Sequence, residues 1–543
     1  MLNNFDLNDK QEDIYVRKSN LSPLEWDLLN MELDSILKQR AALLNSQIID
    51  VQQYASLIAD TYQYILDKYM PLIRLTKKEQ SFHKKPWISS ALKVSIKRKN
   101  ELYSNSKSKN DLELNLKYSQ YRNILTKLLR KAKDNHYIQK FLIYGHDKAK
   151  TWRLVNEITN RKRKCNQNIP KSINDPQEGN IENPKRIAEV LNSHFGTVGQ
   201  KMASKFNATG EPEKDPLDYV KAEHLKYPGD YLNKINRYEL EKIVHSLEVR
   251  KSCGYDGISN YMIKKTSEVI IPHLETLYNA CLQQGTFPDI YKVAKVIPLF
   301  KGGDRENVNC YRPISLLPAF GKILEKIISS RIADYLDVYN ILSPHQFGFR
   351  KKFGTEYAIL DVCEKILNNL DKNLNTCSIF LDLAKAFDSV SHEILLKKLH
   401  RYGMRGEVLS LFKSYLSSRT QFTALGQTFS SYIFIKFGVP QGSILGPLLF
   451  LLYINDLPAA TSFYIKLFAD DTFLCCQNED IATLEKEVNE ELKKVCDWLK
   501  SNKLTLNVSK SKYMLTLRNK KKYYSFKYAL MKSHLKNVTH INI

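Results

Sequence analysis

The stretch YIKLFADDTFLCC (residues 464–476) sets two aspartates, Asp470 and Asp471, between two apolar runs. Neighbouring carboxylates repel, and a buried charge without a partner is costly. The β-branched and aromatic residues on either side predict strand, turn, strand, with the acidic pair near the apex. Taken alone, two acids in such a place read as a solvated turn. A second segment, SIFLDLAKAFDSVSHEILLKKL (378–399), changes that reading. It predicts a strand from Ser378 to Leu383 carrying Asp382 at its end, then a helix with Ser391 as N-cap and Glu393 near its start.

Asp382 and Asp470 lie 88 positions apart, and each follows an apolar strand. If the two strands are neighbours, the carboxylates converge. Clustered hard oxygen ligands are what Mg²⁺ requires. Two such ions about 4 Å apart can activate a hydroxyl and stabilise a leaving pyrophosphate. Divalent charge also makes adjacent ionised carboxylates favourable.

Two further segments belong beside this cluster. GVPQGSILGP (438–447) is a glycine-broken loop opening a buried apolar helix, with Gln441 offering an amide to whatever docks there. KVAKVIPLFKGGDRENVNCYRPISLLP (292–318) alternates basic and apolar residues around a hairpin loop. Its Lys295, Lys301 and Arg312 suit a triphosphate, arginine being fitted to bidentate phosphate recognition.

The chain has 543 residues, 43% of them hydrophobic, and a net charge of +24. That length suggests about three or four domains. The charge favours polyanionic partners, nucleic acid before an anionic membrane. It is concentrated: residues 84–164 hold 22 Lys/Arg against 6 Asp/Glu. There Leu114, Tyr118, Tyr121, Leu125, Leu128 and Ala132 recur at helical spacing, while Lys117, Arg122, Lys127, Arg130, Lys131 and Lys133 take the other face. Dense lysine and arginine without a base-reading pattern suits a phosphate backbone. Nine cysteines without C-x-x-C or zinc spacing read as reduced thiols of an intracellular protein. The first residues show no apolar leader, so no signal peptide is expected. FGVPQGSILGPLLFLLYIN (437–455) is uncharged, but Pro440, Gly442, Gly446 and Pro447 leave an apolar run too short to cross a bilayer.

These blocks stand in a recognisable order: CGYDGISNYMIK (253–264), VIPLFKGGD (296–304), YRPISLLPAFGKILEKII (311–328), HQFGFRKKFGTEYAIL (345–360), FLDLAKAFDSV (380–390), GVPQGSILGPLLFLLYINDLP (438–458), FADD (468–471) and LTLNVSKSK (504–512). Together they resemble the reverse transcriptases of non-LTR retrotransposons, close to the jockey-like LINE elements. The resemblance covers roughly 185–515 and, more loosely, the basic region from residue 86 onward.

The resemblance implies an α+β right-hand polymerase: fingers over 237–376, and a palm over 377–515 with an antiparallel sheet backed by helices. Before them would lie a helical, basic linker-like extension (1–164) and a linker with a short helix (165–236). A basic tail (516–543) would hold the start of a truncated primer-grip and thumb. The family's endonuclease domain is not expected upstream. By the same resemblance Asp382, Asp470 and Asp471 are the catalytic, metal-binding carboxylates. Two Mg²⁺ ions serve them, with Mn²⁺ as a substitute. Arg312 grips the incoming triphosphate, with Lys301 or Lys295 assisting. Phe387 excludes a 2′-hydroxyl, Gln441 and Gly442 line the nucleotide, and Lys510 is the candidate general acid for the departing pyrophosphate. The implied partners are template RNA, primer or target DNA and dNTPs, without a membrane. Nuclear action follows from the family's target-primed mechanism alone. The alternative is a retrotransposon relic that binds nucleic acid without polymerising; an RNA-templated RNA polymerase is a third reading, against which Phe387 speaks.

Overall fold

The structure is a computed structural model. It describes residues 15–17, 21–44, 49–74, 85–109, 111–145, 147–159, 170–207, 214–221, 232–249, 252–351 and 353–517. The helices are α1 (Pro23–Leu43), α2 (Val51–Tyr69), α3 (Ser90–Lys109), α4 (Leu112–Tyr144), α5 (Lys148–Ile158), α6 (Pro184–Asn207), α7 (Arg237–His245), α8 (Asn260–Lys265), α9 (Ser267–Gln284), α10 (Ala319–Val338), α11 (Thr355–Asp371), α12 (His392–Arg401), α13 (Gly406–Leu416), α14 (Leu445–Ile454) and α15 (Ile481–Ser501). The strands are β1 (Tyr15–Arg17), β2 (Leu72–Arg74), β3 (Ile173–Asp175), β4 (Gly179–Ile181), β5 (Ala294–Phe300), β6 (Tyr311–Leu316), β7 (Asn375–Leu381), β8 (Arg419–Leu425), β9 (Thr428–Phe429), β10 (Ile433–Ile435), β11 (Tyr464–Phe468), β12 (Asp471–Asn478) and β13 (Lys512–Thr516). None of the described helices is long and apolar enough to cross a membrane.

The chain divides into two compact units, Met1–Glu25 with Ile65–Asn168, and Trp26–Tyr64 with Ile169–Ile543. In the first, β1 pairs antiparallel with β2, and α3, α4 and α5 carry the basic run. Asp111 and Asp147 cap α4 and α5, accepting from the amides of Glu113 and Lys150. Along α4, Leu125 is buried, and Leu114, Tyr118, Tyr121 and Ala132 are half-buried. Leu128, expected on this stripe, is 50% exposed; the 3.6-residue period carries the inward face from Leu125 to Leu129 instead. The six basic residues Lys117, Arg122, Lys127, Arg130, Lys131 and Lys133 all face solvent.

Two expected boundaries differ from this division. Residues 26–64 group with the second unit rather than with the basic helices. The reason is packing: Trp26, Leu29, Leu33 and Leu37 are buried, and the Tyr62 hydroxyl lies 2.6 Å from Thr266 Oγ1, its ring edge-on to Phe320. A capping box between Ser22 and Glu25 starts α1. The second difference is at 165–236. The part described there is not a linker with a short helix: β3 and β4 form a hairpin, and α6 runs 24 residues. Ile187, Ala188, Leu191 and Phe195 share a core with Ile173, Ala294, Val296 and Tyr311. Polar turn-rich composition masked this, because each element buries only one narrow face. Residues 165–169, 208–213, 222–231 and 518–543, the last being nearly all of the expected C-terminal tail, lie outside the described residues.

Two sheets organise the second unit. One is mixed, in the order β10-β8-β5-β6 with β9 beside β8; β5 and β6 form the expected hairpin, and β5 runs parallel to β8. The other is four-stranded and antiparallel, β11-β12-β7-β13. Helix α15 packs on β12 and β7 through a stripe of buried Leu484, Val488, Leu492 and Val495. α14 is apolar all round and buried, and has no capping residue of its own. Glu325 of α10 supplies one: its Oε2 accepts from Ile444 N at 2.6 Å and Leu445 N at 3.3 Å.

An ion pair fastens three helices behind the antiparallel sheet. Lys398 Nζ of α12 donates to Asp456 Oδ1 at 2.6 Å and to the Tyr453 carbonyl of α14 at 2.7 Å. Trp498 Nε1 of α15 donates to the other Asp456 oxygen at 3.2 Å. Both charged side chains are buried. Burial pushes Asp456 up and Lys398 down, and their mutual attraction opposes both shifts. Such a pair adds little net stability over apolar packing but is costly to break on one side. Asp456→Ala is therefore expected to cost about 3–5 kcal/mol in urea unfolding followed by tryptophan fluorescence, while Lys398→Met with Asp456→Leu recovers most of the loss; a single substitution costing under about 1 kcal/mol contradicts this.

Candidate active site

β11 and β12 form a hairpin whose last pair is Phe468↔Asp471, leaving Ala469 and Asp470 as its two-residue turn. Such tight turns need φ > 0, and Ala469 takes φ 57°. Leu381, which precedes Asp382, pairs with Thr472, which follows Asp471. This register puts Asp382 at the end of β7 next to Asp471 at the start of β12. The alternation of side chains then holds Asp382, Asp471, Phe380 and Phe473 on one face.

The turn is braced from outside the sheet. The segment 345–348 bridges to β11 at Gln346↔Leu467, with Phe347 N donating to the Leu467 carbonyl and Leu467 N to that of His345, both at 2.8 Å. Gln346 is buried, and its Oε1 accepts from Gly348 N at 2.7 Å and Ala469 N at 3.1 Å. A Cβ at Gly348 would lie 2.2 Å from Ala469 N, so only glycine fits. Neither Gln346 nor Gly348 is assigned a role by sequence alone; the one signal was a glutamine and a glycine among apolar neighbours.

The carboxylates crowd one another. Burial raises Asp470, reinforced by the charge of Asp382 and opposed by Arg312 and Lys510. Burial likewise raises Asp471, with Asp470 and Asp382 adding to it. Asp382 Oδ2 accepts from Asn507 Nδ2 at 2.6 Å and stands 3.9 Å from Lys510 Nζ. Asn507 N also donates to the Asp382 carbonyl, and Asp382 N to Ser511 Oγ. The NVSK stretch thus folds back onto Asp382.

The basic residues separate into two groups. Lys301 is depressed by burial and then by Lys510 and Arg312, and Arg312 also acts on Asp470, so these three cations lie near the carboxylates. Lys385, missed in the sequence, joins them; burial and the charges of Lys301 and Arg312 lower it. Lys295 stands apart. It is six residues from Lys301 along the β5 direction, roughly 20 Å of strand, and its ammonium lies over the Phe429 ring.

Phe387 stacks on Phe450 at 4.7 Å and meets Phe349 edge-on. Gly442 takes φ 128°, and a Cβ there would lie 2.5 Å from the Ser315 carbonyl oxygen. The Gln441 carbonyl accepts from Ser315 N at 2.8 Å, which seats the 438–442 loop against β6 a few residues from Arg312.

Among the described residues no three His, Cys, Asp or Glu side chains are drawn together into a ready-made metal cage. The donor set still fits a hard divalent cation. Mg²⁺ is usually held by one or two carboxylates, with waters and substrate phosphates completing its shell, and carboxylates raised by burial and by one another's charge are relieved by such an ion.

The hairpin presents two acids beside a third on an antiparallel sheet, near lysine and arginine, and residues 301–532 match the family described as reverse transcriptase (RNA-dependent DNA polymerase). The chain is similar to polymerases of non-LTR retrotransposons: 28% identical over 397 residues to the probable RNA-directed DNA polymerase from transposon BS of Drosophila melanogaster, covering 71% of this chain and 43% of that protein. It is 28% identical over 410 residues to the RNA-directed DNA polymerase from mobile element jockey of Drosophila funebris, covering 72% and 43%. The Drosophila melanogaster jockey polymerase is 31% identical over 288 residues, covering 51% and 31%. The chain spans less than half the length of these curated relatives.

Because Asp470 is raised in the fold, its ionisation costs stability. That cost is absent below the ordinary carboxylate range, whose value here is 3.8, and grows as pH rises above it. In EDTA at pH 8, Asp470→Asn should melt at a higher temperature than the parent chain, with the gap closing toward pH 4. Adding Mg²⁺ should raise the parent's melting temperature and leave the variant's nearly unchanged; a variant less stable than the parent at pH 8 contradicts the assignment.

Proposed function

We propose that the chain is an RNA-directed DNA polymerase of the non-LTR retrotransposon type, extending a primer 3′-hydroxyl with dNTPs. The observation that carries this is the register of β7 against β12, which gathers Asp382, Asp470 and Asp471 at one edge of a sheet. In this reading residues 237–376 act as fingers and 377–515 as palm.

Asp382 and Asp470 would hold Mg²⁺, with Asp471 in support and Mn²⁺ as a substitute. When bound, the metal supplies a lowered hydroxyl pKa and charge neutralisation at the phosphates. The chain's own part is positioning and electrostatics. Arg312 and Lys301 hold the triphosphate. Phe387, fixed by stacking on Phe450, would exclude a 2′-hydroxyl. Asn507 orients Asp382. Lys510, 3.9 Å from Asp382, would pass a proton to the departing pyrophosphate. Lys295 takes no part at this site. The solvent-facing lysines and arginines of α3 and α4 hold template RNA or target DNA by their phosphates, and target-primed action would place the protein in the nucleus.

On poly(rA)/oligo(dT) the full chain should extend the primer with Mg²⁺ and dTTP, and Asp470→Asn should reduce extension to background. Absence of Mg²⁺-dependent extension by the parent chain, with salt-sensitive RNA binding retained, favours the non-polymerising relic. Preference for ribonucleotides overturns the role given to Phe387. For the basic helices, replacing Lys127 and Lys131 with Gln should weaken single-strand binding at all sequences and reduce the salt slope by about 0.7 for each phosphate no longer neutralised; an unchanged slope removes α4 from the interface.

A further inference from the structure

Helix α4 of the first compact unit keeps one side uncovered. Its Leu125 and Tyr137 turn inward, whereas Ile124, Leu128, Ile138 and Leu142 are 60%, 50%, 57% and 77% exposed. Lys131 and Asn135, which lie between them, are exposed as well. At about 100° per residue these six positions fall within roughly 80° of one another round the helix axis, so they make a single stripe. Apolar side chains exposed one at a time need no explanation, but four in line on one helix form a patch that calls for a partner.

From Ile124 to Leu142 the steps along the stripe are 4, 3, 4, 3 and 4 residues. That alternation is a coiled-coil seam, narrower than the face of a helix lying on a globular core. Leu128, Asn135 and Leu142 hold one seam position, and Ile124, Lys131 and Ile138 the other. The series also reads alike in both directions. About residue 133, Ile124 mirrors Leu142, Leu128 mirrors Ile138 and Lys131 mirrors Asn135. A stripe with that symmetry is its own antiparallel complement, because in a two-fold contact residue i meets j and j meets i.

We propose that α4 pairs two copies of this chain, antiparallel and two-fold symmetric, over residues 124–142. Leu128 then packs on Ile138 of the second copy and Ile124 on its Leu142, each contact occurring twice. The middle layer sets the direction. A parallel pair would place Lys131 against Lys131, two ammonium groups that repel. The antiparallel pair places each Lys131, which only donates, beside an Asn135 side-chain carbonyl, which accepts. A polar residue in a seam fixes register at some cost in stability, and opposed helix dipoles favour the same direction. A partner of unrelated sequence would have no need of the mirror spacing. Arg122, Arg130 and Lys133 lie about 100° or more from the centre of the stripe and remain open to phosphate, while Lys131 is drawn into the seam. The pairing is independent of the polymerase reading.

The test is sedimentation equilibrium on the full chain, cleared of nucleic acid with nuclease, over about 1–100 µM and at about 0.15 and about 0.5 M NaCl. The parent should pass from the mass of one chain to twice that mass as its concentration rises. Because two basic helices repel, the higher salt should tighten the pair by at least about twofold, whereas nucleic acid held between two chains would loosen with salt. Leu128→Glu, at an exposed position, should keep the helical circular dichroism and weaken pairing by at least about tenfold, since symmetry buries the new charge twice. Asn135→Glu should tighten the pair by about three- to tenfold at the lower salt, each Lys131 gaining a carboxylate from the second copy. In a parallel pair the same change sets Glu against Glu and loosens it. A chain that stays monomeric at every concentration overturns the inference and leaves the stripe to a different protein. Pairing that Leu128→Glu does not weaken, that Asn135→Glu loosens, or that dissolves at the higher salt overturns it as well.

Discussion

The pairing of Thr472 with Leu381 is the constraint on which the site depends. It joins positions 91 residues apart in sequence, and a slip of one residue would turn Asp382 and Asp471 to opposite faces of the sheet. Much of the surrounding structure serves to hold this register. β13 pairs with the other edge of β7, α15 covers the back of both strands, and the buried Lys398–Asp456 pair ties α12, α14 and α15 to one another. The Gln346 brace then fixes the one part the sheet cannot, the turn bearing Asp470.

Strand, turn and strand at 464–476 were legible because alternation and turn chemistry are local properties. So were the β5–β6 hairpin and the loop before α14. Asp382 could be paired with Asp470 only as a condition, since nothing local says which strands are neighbours. In the structure it is β12, the strand that follows Asp470, and not β11 before it, that lies beside β7. What stayed hidden depends on partners distant in sequence. The cap of α14 is Glu325, more than a hundred residues upstream. Asn507 and Gln346 are ordinary polar residues until their partners, Asp382 and Ala469, are known. Leu128 and Lys295 show the opposite fault. Each fits a pattern in one dimension, and the helical period or the length of a strand carries it away from the group it was placed in.

The arrangement of charge in the site bears on how it works. Lys301, Arg312 and Lys510 lie near Asp382, Asp470 and Asp471, yet among the described residues the ion pair between the two sets is a loose one, Lys510 to Asp382 at 3.9 Å. Tight pairing would satisfy both signs and leave nothing for a ligand. Here burial first, then neighbouring positive charge, depresses Lys301 and Lys385, and burial first, then neighbouring carboxylates, raises Asp470 and Asp471. Each set is strained in the direction that an ion of opposite sign would relieve. A metal-bound triphosphate brings both signs at once, cation toward the aspartates and phosphate oxygens toward the lysines and Arg312. The proposed substrate is thus what the two unsatisfied sets have in common, and the fold has already met the cost of holding them apart before that substrate arrives.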